Sequence, residues 1–204
     1  MTVLITDPDL AGRVRAERER CQPNNRDEVW DGVVVMPPLP NNEHQDIVMD
    51  LCHAFRSVVD RDGGDRVHPG ANVSDRDADW LTNYREPDAV VYLASNPALD
   101  RNTHWIGGPD LAVEIVSPGE DPRAKFAFYA GINTREVLIV DRDPWALELY
   151  RLTAGVLQLA GRSDLANPAV LASGVLPLTF QLQPGAPRPV IHLTHTATGQ
   201  TWTA

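Results

Sequence analysis

Residues 108–118 have the sequence GPDLAVEIVSP, a pattern typical of a strand at the centre of a sheet. The apolar and β-branched residues are bounded by glycine and proline, which end regular structure on both sides. Residues 87–93, PDAVVYL, have the same build and predict a second central strand. Because side chains alternate between the two faces of a strand, Asp88 and Glu114 each have a defined face. Two carboxylates can therefore meet if these strands lie side by side.

The flanking sequence predicts helices and further strands. We expect helices from the Asp7-Pro8 start to Arg20, over 42–59, and from the Asp121-Pro122 start to about Ala130. Strands are expected over 66–73, 136–140, 146–152 and 156–159, with a hairpin over 28–36 around Asp31-Gly32. Prolines interrupt short apolar segments after residue 167, which we expect to be edge strands and loops. The fold class is therefore α+β (α/β).

The length of 204 residues favours one domain with a sizeable core. Within a single domain over 1–204, we expect an N-terminal helix and linker over 1–25, with the linker at 21–25. The core is expected over 28–152, and C-terminal strands and loops over 153–204.

Composition limits the function classes. Eighteen basic and 28 acidic residues give a formal charge of −10, which argues against bulk attraction to nucleic acid or to an anionic membrane. No apolar run is long enough to span a membrane and no secretory segment begins the chain, so we expect a cytoplasmic protein without a membrane partner. Cys21 and Cys52 are too few for a disulfide framework and are expected to be inert thiols.

Glu114 and Lys125 are the two residues most typical of a site. A glutamate inside an apolar strand needs a partner or a metal ion, and the alternative to a functional role is a buried pair with an arginine. Lys125 is the only lysine among the 18 basic residues. Its alternative is an ordinary surface pair with Asp121, four residues earlier on the predicted helix.

The chain contains an ordered set of short motifs: Glu43-His44-Gln45, Glu86-Pro87-Asp88, Gly108 to Pro118, Asp121 with Lys125 and Tyr129, and Arg135-Glu136 leading to Asp141. This set resembles the Uma-type putative restriction endonucleases, a bacterial branch of the PD-(D/E)XK nuclease superfamily. Together the motifs span roughly residues 28–152. In the wider superfamily the lysine follows the glutamate by two residues, where this chain has Val116, and in Uma-type sequences it lies on the next helix, at the position of Lys125.

The resemblance implies a restriction-endonuclease-like core, in which a mixed sheet with additional β-hairpins is flanked by helices. It implies Asp88, Glu114 and the Ile115 carbonyl as ligands of Mg²⁺, which Mn²⁺ can replace, and Lys125 as the catalytic lysine. The expected reaction is hydrolysis of DNA phosphodiester bonds. Glu43 or His44 could contribute a second metal ligand or a phosphate contact, with a helix-start cap as the alternative, and Tyr129 is expected to pack.

Several alternatives stay open. The chain could be an inactive nuclease-fold protein that binds nucleic acid or protein, or a hydrolase of a smaller phosphoester. Arg85, Arg123 and Arg135 are near the proposed site in sequence and are candidates for a positive rim. Because cutting both strands of a duplex usually takes two active sites, we also expect a homodimer, with the proline-rich C-terminal third as the candidate contact surface.

Overall fold

The computed structural model describes residues 2–21 and 26–204, which form three sheets and three helices. The helices are α1 (Pro8–Cys21), α2 (Asn42–Val58) and α3 (Phe126–Gly131), and a 3₁₀ turn over Pro122–Lys125 leads directly into α3. A second 3₁₀ turn spans Trp80–Thr82. Most of the predicted linker over 21–25 lies outside the described residues.

The central sheet has the strand order β13-β12-β11-β10-β7-β4. Its strands are β4 (Arg66–Pro69), β7 (Ala89–Tyr92), β10 (Leu111–Ile115), β11 (Glu136–Arg142), β12 (Trp145–Thr153) and β13 (Val156–Asp164). The two strands predicted to be central, β7 and β10, are direct antiparallel neighbours, with Ala112 opposite Val90. β10 pairs in parallel with β11, so the sheet is mixed and the predicted α+β class is confirmed.

The first sheet has seven strands in the order β1-β3-β2-β6-β5-β9-β8. They are β1 (Val3–Ile5), β2 (Glu28–Trp30), β3 (Val33–Met36), β5 (Val73–Ser74), β6 (Tyr84–Arg85), β8 (Leu99–Asp100) and β9 (Trp105–Ile106). The predicted hairpin is β2–β3, and its turn residues Asp31 and Gly32 both have positive φ.

The prediction of one strand over 66–73 is wrong. The strand ends at Pro69, and Gly70 has a φ of +60°, which turns the chain out of the central sheet. Val73 then begins β5 in the first sheet.

The C-terminal segments, expected to be edge strands and loops, form an antiparallel sheet of their own. Its order is β14-β15-β16-β17, from β14 (Leu171–Ala172), β15 (Leu178–Gln183), β16 (Val190–His195) and β17 (Thr201–Thr203). Inward-facing apolar residues of β15 are fully buried, and the ring of Phe180 meets Phe55 of α2 edge to face, with centroids 6.3 Å apart. The main core therefore joins α2, one face of the central sheet and the C-terminal sheet.

A second core covers the opposite face of the central sheet. It contains Tyr129 and Ile132 near α3, Tyr92 and Val90 of β7, and Val73 of the first sheet. Glu114 pairs across the ladder with Ile139, a member of this core, and so its side chain lies on this face. No helix within the described residues is long and apolar enough to cross a membrane.

Candidate active site

One cavity of about 280 Å³ contains the three residues that the sequence singled out, Asp88, Glu114 and Lys125. Asp88 immediately precedes β7, and Glu114 lies in the neighbouring strand β10. Lys125 ends the 3₁₀ turn that follows β10. Asp121 starts this turn because its side chain accepts a hydrogen bond from the backbone N–H of Arg123, which supports the predicted cap.

Asp88 is 7% exposed and is held on both carboxylate oxygens. Its Oδ1 lies 2.8 Å from Arg26 Nη1 and 2.7 Å from His44 Nε2, and its Oδ2 accepts from the Ile115 N–H at 2.8 Å. Burial alone would raise the pKa of Asp88, but the hydrogen bond and charge of His44 and the Ile115 N–H keep it below its usual value. Asp88 is therefore a carboxylate at neutral pH.

Glu114 is 4% exposed and is bound by an ammonium group rather than by the alternative arginine. Lys125 Nζ lies 3.0 and 2.9 Å from its two oxygens, and Tyr129 donates its hydroxyl hydrogen to Oε1. Burial raises the pKa of Glu114 to about 8, although Lys125 acts in the opposite direction. Tyr129 is completely buried, as expected for a packing residue, and it also contacts the candidate site directly.

Lys125 does not form the surface pair with Asp121, which contacts Arg123 instead. Its second partner is Glu28 Oε1 at 2.8 Å, on a strand 97 residues earlier in the chain. Burial alone would lower the pKa of Lys125, but the charges of Glu114 and Glu28 together raise it above its usual value. The ammonium group therefore stays charged between two buried acids.

Glu28 joins the hairpin to the site. It is 3% exposed, and its Oε1 also accepts from the backbone N–H of Glu86 at 2.9 Å, while Oε2 accepts from Trp30 Nε1 at 2.7 Å. Burial, with additional repulsion from Glu28 and Asp88, raises the pKa of Glu86 to about 7, against the attraction of Arg26. The cavity thus contains acids that can carry protons near neutral pH.

The two accessory candidates separate in the structure. His44 is buried against Asp88, and within the described residues its Nδ1 has no hydrogen-bond partner. Glu43 does not line the cavity and instead lies 3.1 Å from Arg142. The helix cap is provided by Asn41, which accepts from the His44 N–H at 3.0 Å.

The expected positive rim of Arg85, Arg123 and Arg135 is absent from the described lining of the cavity. Arg85 is buried between the rings of Trp30 and Phe128, at 4.6 and 4.2 Å from their centroids. Arg123 is bound to Glu148, and Arg135 lies 2.8 Å from the buried Asp110. Each arginine therefore neutralises a local acid or fills a local ring stack, and the prediction of a rim is wrong.

The donor set fits a hard divalent cation. Each carboxylate has about four acceptor positions, and contacts from described residues use three on Asp88 and three on Glu114. One position therefore stays open on Asp88 Oδ2 and one on Glu114 Oε2. The N–H and C=O groups of a strand residue point to the same edge, so the Ile115 carbonyl faces Asp88 as its N–H does.

Three oxygens from Asp88, Glu114 and Ile115 suit Mg²⁺, which binds one or two carboxylates and completes its shell with water and phosphate oxygens. No group of three or more His, Cys, Asp or Glu side chains in residues 2–21 and 26–204 is arranged to hold a metal ion by itself. A bound cation would therefore depend on the carbonyl and on oxygens of substrate and water.

Sequence reasoning missed Arg26, Glu28 and Glu86. Their contacts with the site cross 62, 97 and 58 residues of chain, respectively: Arg26 to Asp88, Glu28 to Lys125, and Glu86 to Glu28. For Glu28 a signal was available, because it is an acid at the first position of an apolar hairpin strand. The same criterion, an acid within an apolar strand, identified Glu114.

Comparisons with known proteins bear on the fold and the family of the chain. A solved structure is similar in fold, that of "a putative nuclease belonging to DUF820 from Anabaena variabilis ATCC 29413". It superposes with a TM-score of 0.58 at 18% sequence identity, over 76% of this chain and 87% of that one. At this identity the likeness shows the fold, which is the restriction-endonuclease-like core expected from the sequence. Among curated proteins none matches.

The model of one protein family matches residues 17–184, which is most of the chain and includes Glu28, Asp88, Glu114 and Lys125. That family is Uma2, described as "Putative restriction endonuclease". The chain therefore belongs to the Uma2 family.

Proposed function

We propose that the protein is a Mg²⁺-dependent endonuclease that hydrolyses DNA phosphodiester bonds in the cavity around Asp88 and Glu114. The observation that carries the proposal is that Lys125 binds the buried carboxylate of Glu114 in the cavity that Asp88 also lines, and that Asp88 and Glu114 each keep one open acceptor position. Membership of a family described as "Putative restriction endonuclease" supports a nuclease. Mn²⁺ is expected to replace Mg²⁺, because both prefer oxygen ligands.

Asp88, Glu114 and the Ile115 carbonyl would hold the cation. When bound, it polarises the scissile phosphate and lowers the pKa of a coordinated water. Lys125 places a fixed positive charge next to Glu114 in the same cavity, where negative charge would develop on the phosphate in the transition state. Glu28 and Tyr129 orient the Lys125–Glu114 pair, and Arg26 and His44 orient Asp88. These groups are in place before substrate binds, so little reorganisation is needed.

The second candidate is a nuclease-fold protein that binds a partner without cleaving it. The observation that favours it is that both carboxylates are already bound by cations of the chain itself, Asp88 by Arg26 and Glu114 by Lys125. Metal binding separates the two candidates. We expect millimolar Mg²⁺ or Mn²⁺ to raise the melting temperature of the wild type but not of Glu114→Gln, since a ligand that binds only the folded state stabilises it. An unchanged melting temperature of the wild type in both metals would favour the binding module.

Cleavage of supercoiled plasmid in Mn²⁺ or Mg²⁺ tests the proposed activity. We expect the wild type and Arg101→Met to nick the plasmid, and Glu114→Gln and Lys125→Met to leave it intact. Arg101 is a matched control because it pairs with Asp77 in an exposed position away from the cavity. Circular dichroism would confirm that each variant is folded. Equal nicking by wild type and Lys125→Met would remove Lys125 from the mechanism.

Hydrolysis of small phosphoesters is tested in the same metal buffers with p-nitrophenyl phosphate esters and nucleotides. Hydrolysis of these compounds without plasmid nicking would replace DNA as the substrate. The expected homodimer stays a prediction, and light scattering that shows only monomer would contradict it.

A further inference from the structure

The carboxylates of the proposed site are almost completely buried in the wall of the cavity. Glu114 and Asp88 are 4% and 7% exposed, and the whole cavity encloses about 280 Å³. Thr2 Oγ1 donates to Glu120 Oε1 at 3.0 Å, so β1 is tied to the loop after β10 and both border the cavity. A scissile phosphate must therefore enter the cavity to reach these carboxylates.

Double-helical DNA is poorly suited to such an approach. It is a stiff rod with a persistence length of about 50 nm, and its phosphates are fixed on the outside of that rod. An unpaired strand is flexible, and a single backbone phosphate can be brought inward with its neighbours displaced to either side. The burial of the carboxylates thus favours an unpaired strand.

The charge around the cavity disfavours binding through a long row of phosphates, which leaves contacts with the bases as the source of affinity. Its lining contains six acidic residues, the cations Arg26 and Lys125, and His44, and each of these three is already paired with an acid of the site. Duplex DNA carries one negative charge per roughly 1.7 Å of its axis, and proteins bind it through many phosphate contacts from Lys and Arg. The described lining offers no such row of cations.

The remaining wall is apolar and contains one aromatic ring. Leu4, Trp30, Pro37 and Pro38 line the cavity, and Leu4 is 59% exposed although it is apolar. One face of the Trp30 ring is covered by Arg85, and the residue is half-buried. Flat apolar and aromatic walls bind unpaired bases by stacking, which does not depend on the base sequence.

We propose that the substrate of this site is single-stranded DNA, or an unpaired stretch of DNA, with the bases next to the strand against the apolar wall of Leu4 and Trp30. This inference rests on the proposed function and names its substrate class. The wall takes the place of the basic groove that binds duplex phosphates.

The test compares one fluorescein-labelled 30-mer as a free strand and as a duplex with its complement. Fluorescence anisotropy in Ca²⁺ measures affinity, and gels after incubation with Mg²⁺ or Mn²⁺ measure cleavage. We expect the free strand to bind at least about tenfold more tightly than the duplex. Stacking of a single base contributes about the free energy that corresponds to a tenfold difference in affinity. We also expect it to be cut faster than the duplex.

Two neighbouring residues provide a matched pair of variants. Leu4 and Val3 are both exposed residues of β1, but only Leu4 lines the cavity. We expect Leu4→Ser to weaken binding of the free strand by roughly threefold to tenfold, the effect of losing one apolar contact. Val3→Ser should leave the affinity unchanged. Equal losses in both variants would overturn the assignment of the wall.

The outcomes separate this inference from the proposed function. If duplex is bound as tightly as the free strand and is cut as fast, the inference is overturned and the nuclease stands. If the wild type cuts neither DNA in either metal, the proposed function fails, and the anisotropy ratio then decides whether the cavity selects unpaired strands. Failure to bind the free strand overturns the inference.

Discussion

The pair formed by Lys125 and Glu114 should dominate the stability of the site, and replacing Lys125 by methionine tests this. Methionine keeps much of the side-chain volume but leaves Glu114 and Glu28, which are 4% and 3% exposed, without their shared cation. Removing one partner of a buried ion pair costs up to about 3–5 kcal/mol, and at pH 7.5 the uptake of a proton by Glu114, whose pKa burial raises to about 8, relieves part of that cost. A domain has only about 5–15 kcal/mol of stability in total, so this loss is large.

The assay is urea unfolding at pH 7.5, followed by circular dichroism, for the wild type, Lys125→Met, Glu114→Gln and the double variant. In Lys125→Met, a second substitution Glu114→Gln removes one of the two uncompensated acids. We therefore expect the double variant to recover about 1 kcal/mol or more, in the range of couplings between contacting residues. Glu28 stays unpaired, so the recovery is partial.

Arg101→Met provides the comparison with an exposed pair. Arg101 and Asp77 are 44% and 58% exposed, and solvent screens their interaction, so the urea midpoint should hardly move. The reasoning is refuted if Lys125→Met and Glu114→Gln have strictly additive effects on the free energy of unfolding. It is also refuted if Lys125→Met is no more destabilising than Arg101→Met.

Three further expectations concern positions away from the Lys125 pair. Burial alone would raise the pKa of Glu148, but hydrogen bonds from Tyr150 and two arginines outweigh it and lower the pKa below 4.5. The stabilisation by Glu148 is therefore complete above that pH and is lost as pH falls through the folded-state pKa, so the destabilisation of Glu148→Gln in urea should be present at pH 7 and shrink as pH falls below 4.5. Gly108→Ala should lower the urea midpoint strongly, because its Cβ would lie 2.4 Å from Thr134 N, whereas Gly131→Ala meets nothing within 4 Å and should be neutral or slightly stabilising. Cys52 is buried, and burial raises the pKa of its thiol to about 11. Iodoacetamide at pH 8 should therefore modify Cys52 only after unfolding, which peptide mass spectrometry would detect. Rapid labelling of the folded protein would contradict the burial of Cys52.

Local sequence signals were sufficient for the elements that carry the site. The β-branched runs predicted β7 and β10, and the Asp-Gly turn predicted the β2–β3 hairpin. Asn133, with a φ of 64°, adopts the left-handed conformation that its residue type tolerates. These features depend on backbone preferences within a few residues, which a single sequence contains.

The long-range pairings were not predictable by the same means. Nothing near Glu28 indicates that it contacts Lys125, because the contact exists only once the hairpin lies against the end of β10. The C-terminal sheet was missed for a similar reason, since short apolar segments between prolines do not specify which strands pair. The catalytic roles of Asp88, Glu114 and Lys125 stay predictions, supported by their position in one cavity.

The C-terminal sheet has a practical consequence for choosing the boundaries of a truncated fragment. The family match ends at residue 184, directly after β15, while β16 and β17 pair with each other and β16 pairs with β15 along its whole length. A fragment trimmed to the matched boundaries would lose both strands and leave the row of Leu178, Phe180 and Leu182 on an open edge. Such a fragment should precipitate on expression, and recombinant work is better served by retaining both flanks.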